Sequence, residues 1–202
     1  MTDFTGFKQD NESCHFQRIR LHSEVIKDAE FNGCTFSGCH FDESTFLNCR
    51  FIDCTFNQCS LNLCQFTGTT LNGVQFSNCQ LMGINWSEIG TSTSLLAKPL
   101  EFQSSILNHG TMMGINLEGS KLADCTAHHV DFSEADMAHA DCSGTDFTGS
   151  RFAATDLTGA DFRGALNYQI SAQENKLKKT RFSLPDAMSL LYSLDIELDD
   201  SP

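Results

Sequence analysis

A repeat solenoid is the architecture this sequence predicts, and three observations predict it. From Phe31 to Trp86 a large apolar residue returns at every fifth position: Phe31, Phe36, Phe41, Phe46, Phe51, Phe56, Leu61, Phe66, Leu71, Phe76, Leu81 and Trp86. Two residues before each of these centres stands a small or compact residue, from Ala29 and Cys34 through Cys79 and Ile84. The other three positions of each unit are mostly polar or Gly. A helix repeats at about 3.6 residues and a strand at about 2, so a sustained period of five is neither. Fixed-period self-similarity marks units that bury an apolar face only against their neighbours.

Composition agrees with an elongated domain that has a real core: 202 residues, with 17 Phe almost all on the period. The formal net charge of −13 speaks against unassisted binding to nucleic acid or to an anionic membrane, and makes a basic protein partner the better expectation. No apolar run of about 18 residues is present, and the opening MTDFTGFKQDNESC lacks the apolar stretch of a signal peptide. A cytoplasmic protein is expected.

Nine of the ten cysteines occupy the small position (Cys14, Cys34, Cys39, Cys49, Cys54, Cys59, Cys64, Cys79, Cys125), and Cys142 takes a large one. They lack paired zinc-type spacing, and a free Cys behaves as a small hydrophobe. They are read as reduced core filler.

In chain order, residues 1–13 have no firm register and are expected to form an N-terminal cap. Cys14-His15-Phe16 opens the repeat domain, 14–165. Thr91 is a poor centre and Leu96 an acceptable one; the next is Phe102, six residues on. The register then holds through Leu107, Met112, Leu117, Leu122, Ala127, Phe132, Met137, Cys142, Phe147, Phe152, Leu157 and Phe162. One extra residue is therefore expected near 97–101, with Lys98-Pro99 as its site, because Pro tolerates a bulge better than a ladder. The irregular interval 87–106 is either a loop leaving the surface or a worn repeat. Residues 166–182 show no clear period, and 166–202 is read as a C-terminal segment. Within it Ser183-Leu184-Pro185-Asp186 reads as a helix start with Ser183 as N-cap, the helix running to about Leu194 and a short strand following at 195–198. Met188, Leu190, Leu191, Leu194, Ile196 and Leu198 give this end more apolar surface than a monomer needs. A homodimer through the C-terminus is the sharper expectation, and a plain terminal cap is the alternative.

The units CTFSG (34–38), TDLTG (155–159) and ADFRG (160–164) resemble the pentapeptide repeat, over about residues 14–165. That resemblance implies an all-β solenoid: a right-handed quadrilateral parallel β-helix with four units per coil, in which Phe16, Phe36, Phe56 and Phe76 stack in one column and Ile26, Phe46, Phe66 and Trp86 in another. It implies about seven coils. The layout is similar to the topoisomerase-protecting group, which contains the quinolone-resistance (Qnr-type) and microcin B17 immunity proteins. The shared features are the Cys- and Phe-rich first half, the irregular middle, and the C-terminal helix with an apolar strand. The resemblance implies a non-enzymatic acidic dimer that mimics duplex DNA, binds DNA gyrase or topoisomerase IV, and modulates it or protects it from quinolone or toxin. No long projecting loop of the Gram-negative members can be placed. A scaffold module with another partner is the alternative.

The residues bear on the mimic through their acids. In the second half the outward residue before the centre is repeatedly Asp: Asp131, Asp136, Asp141, Asp146, Asp156 and Asp161. With twenty-residue coils, Asp136 stacks on Asp156, Asp141 on Asp161, and Asp131 faces Arg151. The acid is expected to concentrate toward the dimer end, where two copies would pool it. Against this, Asp at that position is common in ordinary pentapeptide repeats, and charged faces usually just solvate. His109 and His129 would stack one coil apart without a third ligand. Neither catalytic, cofactor nor metal residues are assigned, since no pocketed carboxylate pair, nucleophile elbow or phosphate loop is present.

Overall fold

The computed structural model describes residues 6–90 and 98–192, together with Leu194 and Ile196. Short parallel strands of two or three residues stack one coil above the next. Their registers place Phe16 beside Phe36, Phe36 beside Phe56 and Phe31 beside Phe51, so each coil takes twenty residues and four units. Four flat faces result. The first carries strands Asp10–Glu12, Glu30–Asn32, Arg50–Ile52 and Thr70–Asn72. The second carries His15–Gln17, Thr35–Ser37, Thr55–Asn57, Gln75–Ser77, Glu101–Gln103 and Lys121–Ala123. Single bridges from Arg20 to His40, Ser60 and Gln80 make the third, and Val25–Lys27 with Thr45–Leu47 begin the fourth. About eight coils stack into a right-handed four-sided rod, roughly 38 Å long at one strand spacing per coil.

The expected aromatic columns form. Phe36 and Phe56 stack at 4.5 Å, Phe56 and Phe76 at 5.0 Å, and Phe66 and Trp86 at 5.7 Å between ring centroids. Every centre from Phe31 to Phe162 that the structure describes is buried. The small position has a second duty beyond size. Cys54 Sγ donates to the Phe31 carbonyl in the preceding coil at 3.3 Å, and Cys79 Sγ donates to that of Phe56 at 3.3 Å. A Ser or Thr in place of Cys can both donate and accept: Thr69 Oγ1 donates to the Phe46 carbonyl (2.8 Å) and accepts from the Cys49 amide (3.0 Å). All ten cysteines are free. The second residue after nearly every centre has positive φ, as at Gly33, Asn48, Asp53 and His129, and this turns the chain from one face to the next.

Three boundaries differ from the sequence reading. The coil begins earlier, because Asp10–Glu12 pairs with Glu30–Asn32 and buries Asn11, while Phe7 packs edge-on against Phe16 and Phe31. It also ends later. Asp156 pairs with Lys176 and Phe162 with Phe182, so 166–182 is coil whose period is hidden by irregular spacing: Phe152 pairs with Ile170, eighteen residues on. In the middle, Phe76 pairs with Phe102, so this coil has six residues more than the usual twenty. Gly90 still pairs with Thr70, and pairing is regular again by Lys98, whose amide donates to Asn72 Oδ1 at 2.7 Å. The offset therefore lies between Gly90 and Lys98 and not at Lys98-Pro99. Thr91, Leu96 and the interior of the 87–106 interval lie outside the described residues.

The C-terminal helix is shorter than expected, a 3-10 turn Asp186–Met188 continuing into α1, Ser189–Tyr192. Ser183 does not cap it: its hydroxyl accepts from the Gly164 amide at 2.8 Å, which ties the segment to the coil above. The strand expected at 195–198 lies outside the described residues.

Candidate partner-binding surface

The backbone register distributes the six expected aspartates over all four faces. Asp136 and Asp156 share the first face, with Lys176 next below; Asp141 and Asp161 share the second, between Lys121 above and Arg181 below. Asp146 lies on the third, between Thr126 and Leu166, and Asp131 on the fourth, beside Arg151. The vertical pairs are those the twenty-residue coil requires. A single acidic wall does not form.

Each of these carboxylates also has a local task. Oδ1 accepts from the amide two residues on: Ser133 to Asp131 at 2.9 Å, Ala138 to Asp136 at 3.0 Å, Ser143 to Asp141 at 3.1 Å, Thr148 to Asp146 at 3.0 Å, Thr158 to Asp156 at 3.0 Å and Arg163 to Asp161 at 3.1 Å. This Asx-type bond shapes the turn and accounts for Asp at that position without any partner. Four of the six are further engaged: the Ser143 hydroxyl donates to Asp141 at 2.6 Å, and Asp156, Asp161 and Asp146 have more partners. Lys176 Nζ meets Asp156 at 2.8 Å; its hydrogen bond, with those of Thr158, holds the carboxyl down to about 2. Arg163 at 2.6 Å and Arg181 at 3.3 Å share Asp161, where the Arg163 bonds outweigh burial and lower its pKa. Burial opposes ionisation of Asp146, yet bonds from Asn167, Thr148 and His128 prevail and hold it below the usual carboxylate range.

The acid is interrupted in the last coil before the C-terminal end, where residues 183–202 carry five acids and no Lys or Arg. Residues 101–162 carry ten acids against Lys121 and Arg151, whereas 163–182 carry Arg163, Lys176, Lys178, Lys179 and Arg181 against Glu174 alone. Lys176, Lys178, Lys179 and Arg181 run along the corner from the first face to the second, directly below the Asp156–Asp161 rung, and Arg163 lies on that rung beside Asp161. Sequence reading missed the coil that carries these cations, because the period blurs there.

Beyond the last coil, the apolar residues expected at a dimer interface divide. Met188 (41% exposed), Leu194 (38%) and Ile196 (47%) face outward, and Leu191 is half-buried. Leu190 instead packs against the core. Leu198 lies outside the described residues. Leu184, which the sequence reading did not single out, is 78% exposed beside them. His109 and His129 stack at 5.3 Å as expected. No described helix is long and apolar enough to cross a membrane. Beside the six-residue insertion an open pocket of about 440 Å³ is lined by Leu71, Ile89, Leu100, Met113, Lys98 and Glu118, among others.

The five-residue period and this coil geometry meet in the family comparison. The profile described as a pentapeptide repeat region matches residues 29–98, and that of pentapeptide repeats (8 copies) matches 128–164. The chain belongs to the pentapeptide-repeat family. No curated protein matches its sequence. Among solved structures, the pentapeptide-repeat rod is similar to two trypsin-treated variants of QnrB1, described as a plasmid-mediated fluoroquinolone resistance protein. One superposes with a TM-score of 0.74 at 16% identity, over 96% of this chain and 100% of that one. The other gives 0.71 at 16% identity, over 94% and 100%. Full-length QnrB1 gives 0.57 at 17% identity, over 93% and 100%. At these identities the likeness is one of fold.

Proposed function

We propose that this protein is a non-catalytic acidic rod that binds a type II topoisomerase, DNA gyrase or topoisomerase IV, and modulates it or protects it from a quinolone or toxin. The observation that carries this reading is the superposition over the whole length of the QnrB1 structures, a resistance protein of the same architecture. The exposed Leu184, Met188, Leu194 and Ile196 beyond the last coil support a homodimer through the C-terminus. The interval 87–106 is, on this reading, a further candidate for partner contact in mid-rod. On this reading Asp131, Asp136, Asp141, Asp146, Asp156 and Asp161 face the partner as a partial mimic of duplex charge, with no direct contact to nucleic acid.

The test is a gyrase supercoiling titration, with and without a quinolone, beside a light-scattering mass. A dimer that inhibits supercoiling or rescues it from the drug is expected. A monomer inert in both arms would leave a second reading, a scaffold with another partner. One observation favours that alternative: each aspartate caps its own turn, and Asp156 and Asp161 are paired with neighbouring cations.

A further inference from the structure

On the corner between the first and second faces the sign of charge reverses within one coil. Asp136 and Asp141 lie on one rung and Asp156 and Asp161 on the next; the last rung presents Lys176, Lys178, Lys179 and Arg181, with Arg163 just above. The middle rung is internally neutralised, since Asp156 holds Lys176 and Asp161 holds both arginines. The outer rungs have no such salt bridges among the described residues. Among the described residues neither Asp136 nor Asp141 has an ion pair, and Lys178 and Lys179 are exposed without an acidic side chain in salt-bridge range. Two carboxylates and two ammonium groups without a salt-bridge partner among the described residues are thus held two rungs apart, roughly 10 Å at one strand spacing per rung.

That separation is within reach of one docked element and about one screening length, so a single partner surface senses both signs. A uniform polyanion laid along the corner would gain at the lysines and be repelled at Asp136 and Asp141; a uniform polycation would meet the reverse. The surface that gains at both ends is a protein surface whose own charge reverses, basic opposite the aspartates and acidic opposite the lysines. We infer that this corner docks such a charge-reversing protein surface, and, resting on the topoisomerase reading above, that the topoisomerase supplies it. The rod then engages its partner as a zwitterionic key, with Lys178 and Lys179 as positive contacts.

This inference and a purely acidic mimic require opposite responses to one substitution, and purified DNA gyrase separates them. The full-length protein, its Lys178→Glu/Lys179→Glu variant and its Asp136→Asn/Asp141→Asn variant are titrated against gyrase, and each against a short DNA duplex, with circular dichroism as the check on folding. Asn retains the oxygen that caps each turn while removing the charge. We expect the lysine variant to lose about tenfold or more in gyrase affinity, the aspartate variant to weaken as well, and the duplex to bind none of the three. A lysine variant that binds gyrase as tightly as the parent, or more tightly, overturns the positive contacts while leaving the topoisomerase reading intact. Duplex binding that depends on the lysines overturns the inference in favour of a nucleic-acid contact. A parent protein that fails to bind gyrase removes the topoisomerase reading and this inference with it.

Discussion

Thr145 accepts a hydrogen bond from the Cys125 amide at 3.0 Å and donates one to the Leu122 carbonyl at 2.5 Å, so one hydroxyl satisfies two buried backbone groups of the preceding coil. Ser150 does the same for Val130 and Ala127. Size alone therefore does not decide which residue suits the small position.

Thr145→Val should be costly although it preserves volume. It strands both the Cys125 amide and the Leu122 carbonyl in a dry interior, at roughly 1–3 kcal/mol. Thr145→Cys should cost less, since Cys125 Sγ already donates to the Phe102 carbonyl at 3.4 Å in the same role. Urea denaturation followed by the fluorescence of buried Trp86 orders the two, and equal losses would show that the hydroxyl is dispensable.

The cysteine interior should make the protein sensitive to alkali. Burial pushes the thiols of Cys49 and Cys125 up to about 11 and that of Cys54 up to about 12, from 9.0. In the unfolded chain these groups ionise first, so the unfolded state binds fewer protons at high pH. The contribution is intact below pH 9.0 and is lost as pH rises toward 11 to 12. Urea midpoints should fall between about pH 8 and about pH 10, and fall less in a Cys54→Ser/Cys125→Ser variant. In the native state a thiol reagent should label Cys14 alone, the one cysteine that is not buried.

Gly110 and Gly119 should respond differently to alanine. A Cβ at Gly110 would approach the Ile84 carbonyl oxygen to 3.0 Å and that of Leu107 to 3.2 Å, both backbone atoms fixed by the coil. Gly110→Ala should therefore cost about 1–3 kcal/mol by overpacking. At Gly119 the space is open and only the positive φ of 65° opposes a side chain, a cost of about 1–2 kcal/mol. Replacing Gly119 with Asn, which tolerates this conformation, should recover most of its loss, whereas Gly110→Asn should be worse than Gly110→Ala. Thermal melts of the four variants check the order.

The C-terminal apolar residues should separate by role. Met188→Glu with Leu194→Glu, on the exposed side, is expected to halve the mass seen by light scattering without changing the thermal midpoint of the coil. Leu190→Glu should lower that midpoint, because Leu190 packs on the core. Should the Met188/Leu194 variant keep the parent mass, the dimer does not form through this surface.

Much of the rod was legible in residues such as Phe36, Phe56 and Phe76, because a period of five leaves few alternatives once every unit buries one large side chain. Cys54 and Cys79 were legible as packing residues but not as hydrogen-bond donors, since the carbonyls they reach belong to another coil. Phe76 and Phe102 showed that the spacing slips, but spacing alone could not tell one added residue from six, since both leave the same register. Residues 166–182 were obscured for the opposite reason. Asn175 stands where a small residue is usual, yet its side chain accepts from Thr155 and donates to Phe152 as the position requires. At the surface, Asp136 and Asp156 were placed correctly in one column, but the cations that follow them became visible only once Lys176 was seen to continue that column.

The anchoring on either side of the mid-rod insertion bears on how such a protein can change. Gly90 is pinned to Thr69 at 2.8 Å, while Lys98 is fastened to Asn72 and, through its ammonium group, to Asp53 two coils above at 2.6 Å. Entry and exit are each secured to rungs already built, so the intervening sequence carries no responsibility for their alignment. The rod thus has a splice port: a place where evolution, or an engineer, can change the length and the sequence between two anchors while the scaffold on either side stays in frame.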